Sequence, residues 1–145
     1  MAQVNPYLIF DGKCEEAFNF YKSVFGGEFP FMGRFSEMPP QEGMPPVSPE
    51  EANRIMHVSL PIGNTILMGS DSGGEHQKVT VGNNFHISVN ADNREDADRI
   101  FSALSAGGMP IMPMGDMFWG SYFGMLKDKF DIHWMVSFEQ HQQPK

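Results

Sequence analysis

Two histidines and three serines stand at strand-like spacings in this chain and are its foremost candidates for chemistry. His57 and Ser59 lie in MHVSLPIGNTILMGS together with Met68 and Ser70; His86 and Ser88 lie in NFHISVN, with Asn84 before them. Imidazole changes charge near neutral pH, so His57 and His86 are candidates for general acid and general base. A strand histidine is as readily a hydrogen-bonded core or rim residue, so both roles stay open. The serines have no neighbouring Asp-His pattern, which leaves no basis for a nucleophilic triad. Cys14 is the single cysteine. It can form no intrachain disulfide and no thiolate cluster, and its place early in a helix-like segment reads as packing rather than catalysis. Met109, Met112, Met114 and Met117 have a spacing superficially like a soft thioether site for Cu(I). Twelve methionines in the chain point instead to general use of an adaptable filler, suited to irregular hydrophobic ligands.

These side chains need elements to position them. Gly63-Asn64 between two apolar runs is a two-residue hairpin signal, and it fixes a register: Ile62 opposite Thr65, Leu60 opposite Leu67, Ser59 opposite Met68, His57 opposite Ser70. Side-chain alternation then puts His57, Ser59, Met68 and Ser70 on one face and Val58, Leu60 and Leu67 on the other. Upstream, Cys14, Ala17, Phe18, Tyr21, Val24 and Phe25 form one apolar helical face. Some eighty residues later Ala97, Ile100, Phe101 and Leu104 repeat the spacing, with Asn93 as N-cap. Both helices stop at a glycine pair, Gly26-Gly27 and Gly107-Gly108, and both follow a strand-like run, VNPYLIF and NFHISVN. Two further strands flank Asp128–Asp131. The chain therefore reads as an α+β protein of two βαβββ modules, module one about 4–72 and module two about 83–139, within a single domain spanning 1–145. If Asn84 points inward, His86 and Ser88 follow it by alternation, and Trp134 is expected to bring Ile132 and Val136 to the same side.

Composition narrows the partners. A formal net charge of −8 with ten scattered Lys and Arg offers no basic stripe for nucleic acid. No apolar run reaches the ~20 residues of a membrane span, and MAQVNPYLIF lacks the basic flank and cleavage signal of an export peptide, so a cytoplasmic protein is expected. The proline-rich stretch within 36–54 is a loop, either a lid or a surface excursion.

The stretches PYLIFDGKCEEAFNFYKSVFGGE, HVSLPIGNTILMGSD and WGSYFGMLKDKFDIHW resemble the glyoxalase, bleomycin-resistance and extradiol-dioxygenase (vicinal oxygen chelate) superfamily. More narrowly, they resemble its PhnB-like branch, whose members are labelled 3-demethylubiquinone methyltransferase-like. The resemblance runs from about Asn5 to Phe138. It implies that the modules form a curved mixed β-sheet cup with helices outside and ligand inside, and that the chain is a homodimer. Metal-using members place His and Glu at four cup positions, which fall here at Pro6 (or Tyr7), Met68, Asn84 and Trp134. None suits a divalent cation. The expectation is a protein with no metal ligands and no cofactor, taking a small hydrophobic or aromatic molecule on His57, Ser59, Met68, Ser70, Asn84, His86, Ser88 and Trp134. The alternative is a metal-dependent or His-based lyase, isomerase or transferase. The methyltransferase label finds no support in a glycine-rich strand-to-helix turn of the nucleotide-cofactor kind.

Overall fold

The computed structural model describes residues 2–37, 39, 43, 48–72 and 78–139, and the chain divides into two compact units, Met1–Thr80 and Val81–Lys145. In the first, β1 (Tyr7–Phe10), α1 (Cys14–Phe25), β2 (Phe31–Arg34), β3 (Ile55–Ile62) and β4 (Thr65–Asp71) follow in sequence, with a single-turn helix α2 (Pro49–Ala52) before β3. The sheet order is β1-β4-β3-β2, with β1 parallel to β4 and the other pairs antiparallel. The second unit holds β5 (Ile87–Asn90), α3 (Arg94–Ser105), β6 (Met109–Asp116), β7 (Ser121–Lys127) and β8 (His133–Glu139). Its order, β5-β8-β7-β6, repeats that of the first. The internal repeat of the sequence is thus a repeat of the βαβββ module.

Each sheet has a closed face toward its helix and an open face. In the first unit Val58, Leu60 and Leu67 are buried with Cys14, Ala17, Phe18, Tyr21 and Val24 of α1. The helix lies close: a Cβ on Gly69 would stand 2.6 Å from Phe18 and 2.9 Å from the Leu8 carbonyl oxygen, so only glycine fits there. Arg34 of β2 ties the strand to α1 through Glu15, at 2.7 and 3.0 Å, and this bond holds the Glu15 carboxyl below its ordinary range. The Gly63-Asn64 turn, with Gly63 at φ 58, gives the register that its type requires, Ser59 opposite Met68 and Leu60 opposite Leu67.

In the second unit Ala97, Ile100 and Leu104 of α3 are buried against Leu126, Trp134 and Val136, and Asn93 caps the helix, its Oδ1 accepting the Asp96 N–H at 2.7 Å. Within the long loop, Phe35–Glu37 makes a 3-10 turn. The one-turn α2 is capped by Ser48, whose Oγ accepts from the Glu51 N–H at 3.3 Å. Positions 38, 40–42 and 44–47 lie outside the described residues, and the reading of this loop as a lid lies there with them. No described helix is long and apolar enough to cross a membrane.

Candidate functional site

The open face of the first unit gathers the chemistry-bearing residues of the hairpin. Ser59 and Met68 are cross-strand partners, and Ser70, two positions beyond Met68 on the same face, stands opposite Ile9 of β1. Parallel pairing puts Tyr7 beside Met68, and β2 contributes Phe31 opposite Ser59. His57 sits in the middle of this set. Its Nδ1 is 3.3 Å from the Tyr7 hydroxyl, its ring stacks on Tyr7 with centroids 5.7 Å apart, and Phe31 flanks it at 5.8 Å. His57, Ser59, Met68 and Ser70 are half-buried, while Tyr7, Ile9 and Phe31 are exposed. The result is an aromatic surface with hydroxyl and imidazole groups at its centre. The tyrosine contact occupies one ring nitrogen of His57 and leaves Nε2 available for a bound molecule, a useful arrangement for binding and for proton transfer alike.

Phe31 is the member of this face that the sequence did not reveal, and Tyr7 entered the sequence reading only as the alternative to Pro6. The position assigned to Pro6, with Tyr7 as its neighbour, resolves to Tyr7, because it is Tyr7 that pairs with Met68; the Pro6 carbonyl instead accepts the Met68 N–H at 3.1 Å. Phe31 carried no local signal beyond its aromatic ring.

The second unit separates residues that the sequence grouped. Ile87 of β5 pairs with Trp134, and Ser88 with Met135. Trp134 therefore occupies the closed face and Ser88 the open one. Trp134 is fully buried, one row from Gly124, whose Cβ position lies 3.0 Å from Phe101 of α3. Its Nε1–H donates to Asp128 Oδ2 at 2.8 Å. The same carboxylate accepts the Phe130 and Ile132 N–H groups at 2.8 and 3.1 Å, so a buried acid turns the β7–β8 hairpin and anchors the indole. The expectation that Trp134 and Val136 share a face with His86 and Ser88 fails because period-two alternation admits either face of the HWMVSF strand, and the larger apolar payload went to the core. Asn84 also departs from expectation. The strand begins only at Ile87, leaving Asn84 in an exposed bend before it.

His86 remains near the open side, its ring edge-to-face with His133 at 5.2 Å. Burial, reinforced by His86 and Lys127, holds His133 below the ordinary histidine range. Cys14 is buried at the start of α1, and burial beside Asp71 pushes its thiol far above the ordinary range, the property of a packing residue. Among the described residues no group of three or more His, Cys, Asp or Glu side chains is placed to hold a metal ion.

Comparison with known proteins agrees with this architecture. Residues 2–137 match the model of the 3-demethylubiquinone-9 3-methyltransferase family. The chain belongs to that family, and it shares the fold of a glyoxylase/bleomycin resistance protein/dioxygenase domain from Frankia sp. EAN1pec, with a TM-score of 0.65 at 13% identity, covering 99% of this chain and 96% of that one. It is 28% identical to the protein YjdN of Escherichia coli over 96% of this chain and 97% of that one. The crystal structure of PA1353 from Pseudomonas aeruginosa superposes with a TM-score of 0.85 at 37% identity, covering 97% of this chain and 100% of the other. A putative 3-demethylubiquinone-9 3-methyltransferase, PhnB protein, from Bacillus cereus gives a TM-score of 0.73 at 26% identity, covering 94% and 99%.

Proposed function

We propose that this chain binds a small, flat hydrophobic or aromatic molecule on the open face of its first sheet, without a divalent metal. The observation that carries the reading is the Tyr7–His57–Phe31 group, three rings within 6 Å of their neighbours, set beside Met68 and two serines. Aromatic faces supply contact area, Met68 adapts to irregular outlines, and His57 Nε2 with Ser59 and Ser70 supplies the polar groups that orient a ligand. Tyr7, Met68, Asn84 and Trp134, at the four positions where metal-using members place ligands, carry neither an imidazole nor a carboxylate. A second reading, acid–base catalysis by a lyase, isomerase or transferase, is supported by the Tyr7–His57 contact, which engages Nδ1 of the ring and leaves the other nitrogen for the proton being moved.

The two readings separate in a titration with 2-naphthol as probe. For binding alone, His57→Ala is expected to weaken affinity by about 1 kcal/mol, one lost hydrogen bond, or roughly fivefold. For acid–base catalysis, a turnover assay on a substrate found by screening loses roughly 10²–10⁴ in rate while affinity changes far less. Unchanged probe affinity in His57→Ala, Tyr7→Ala and Phe31→Ala together would remove this face from the account.

The chain is further proposed to pair as a homodimer. Support comes from large exposed apolar residues such as Val81, Phe85 and Phe118, which favour association. Sedimentation at micromolar concentration is expected to give twice the 16.3 kDa chain mass; a single species at the chain mass contradicts it.

A further inference from the structure

The open face of the second sheet carries a row of thioethers that the sequence order does not reveal. Met112 of β6 is the cross-strand partner of Met125 on β7, and Met125 is the partner of Met135 on β8. Adjacent partners on one face of a sheet have Cβ atoms about 4.5–5.5 Å apart, a spacing that flexible methionine side chains can bridge, and Met112 lies between two register shifts of β6. The neighbouring row holds Met109, Lys127 and His133, each the partner of the next. Met125, Met135 and His133 are half-buried, and Met109 and Met112 are open to solvent. The Nδ1 atom of His133 is buried and makes no hydrogen bond, an unusual state for a ring nitrogen that finds a partner in most proteins. Met114 is not part of the set: its sulfur lies against Gly124 on the helix side of the sheet.

We infer that Met112, Met125 and Met135 form a site for one soft monovalent cation, Cu(I) or its analogue Ag(I), with His133 as an additional nitrogen donor. Thioethers select such ions over Mg(II), Ca(II) or Zn(II) because a polarisable, uncharged sulfur gains little from a hard cation. Three thioethers from three adjacent strands stand in one row, open to solvent at Met112. The residues of the site all lie within the second unit.

The test is anaerobic competition for Cu(I) between the purified chain and bicinchoninate under excess reductant. One Cu(I) per chain is expected. Met125→Leu and Met135→Leu, which keep side-chain volume, are each expected to lower affinity at least tenfold, and the double variant to lose stoichiometric binding. Cys14→Ser and Met32→Leu are expected to change nothing. Absence of binding, binding that survives the double variant, or binding lost in Cys14→Ser overturns the assignment. A readout free of any folding defect uses the unaltered chain with methyl-labelled methionine and Ag(I). The Met112, Met125 and Met135 methyl resonances are expected to move together and saturate at one equivalent; if they stay in place while others move, the site is elsewhere.

Discussion

Replacing Trp134 by alanine is expected to destabilise the fold by about 3–5 kcal/mol, the range of buried Trp or Phe truncations, and to leave the aromatic face of the first sheet intact. The indole is fully buried, packed with Leu126 and Val136 beneath α3, so its loss opens a large cavity in the core of the second unit. A second cost comes from Asp128. Its carboxylate keeps the Phe130 and Ile132 N–H groups but loses the indole N–H, one hydrogen bond to a charged group. Trp134→Phe separates the two contributions, because it retains much of the volume and removes only the donor; a loss of about 1–2 kcal/mol is expected, in the range of one hydrogen bond to a charged group with some packing. Urea unfolding followed by circular dichroism measures both. A Trp134→Ala protein of nearly unchanged stability that no longer binds 2-naphthol would return this residue to the ligand site and reverse the face assignment of β8.

The second large effect is expected at Asp71. This residue ends β4, is buried, and its two carboxylate oxygens accept three backbone N–H groups: Gly12 at 2.8 Å and Cys14 at 3.0 Å through Oδ1, Ile55 at 2.9 Å through Oδ2. The acid thus joins the entry to α1, the start of β3 and the end of β4. Its negative charge also faces the positive end of the α1 dipole. Asp71→Asn keeps the shape but turns an acceptor into an NH2 group facing at least one of these donors, so a loss of about 2–4 kcal/mol is expected from hydrogen bonds to a charged group worth roughly 1.5–3 kcal/mol each. Asp11→Asn, a neighbouring exposed acid paired with Arg54, serves as control and is expected to stay within about 0.5 kcal/mol of the parent protein. Equal effects in the two variants would show that the three N–H groups find other partners and that Asp71 is no keystone of the first unit.

How much of this was legible in the sequence follows from the range over which each signal acts. The βαβββ repeat, both helices and the β3–β4 register were local: apolar spacing specifies a helical face, and Gly63-Asn64 specifies a turn whose geometry counts residues outward to Ser59 and Met68. That count also separates the open face of the first sheet from its closed face, since Val58, Leu60 and Leu67 had to go together. The parallel pairing of β1 with β4 is set over some sixty residues by packing, and no local turn announces it, so Tyr7 was left one position in doubt. Trp134 failed for a different reason. HWMVSF alternates acceptably in either phase, and what decides the phase is Asp128, which offers the indole N–H a buried partner six residues away. The same blindness hid Asp71, whose role depends on three N–H groups from two distant segments. It hid the thioether row as well, because Met112, Met125 and Met135 are brought together by strand pairing rather than by sequence spacing.

The central claim is that the Tyr7–His57–Phe31 face is where this protein takes its ligand, and the direct measurement is an NMR titration with 2-naphthol that follows the His57 ring, the Tyr7 and Phe31 ring protons and the Met68 methyl group. The account predicts saturable shifts concentrated on these four residues, with ring-current displacement of the Met68 methyl and reduced response in Phe31→Ala. Saturable binding that leaves all four unmoved, and shifts instead the exposed Phe118 and Trp119 pair at the β6–β7 turn, would contradict it.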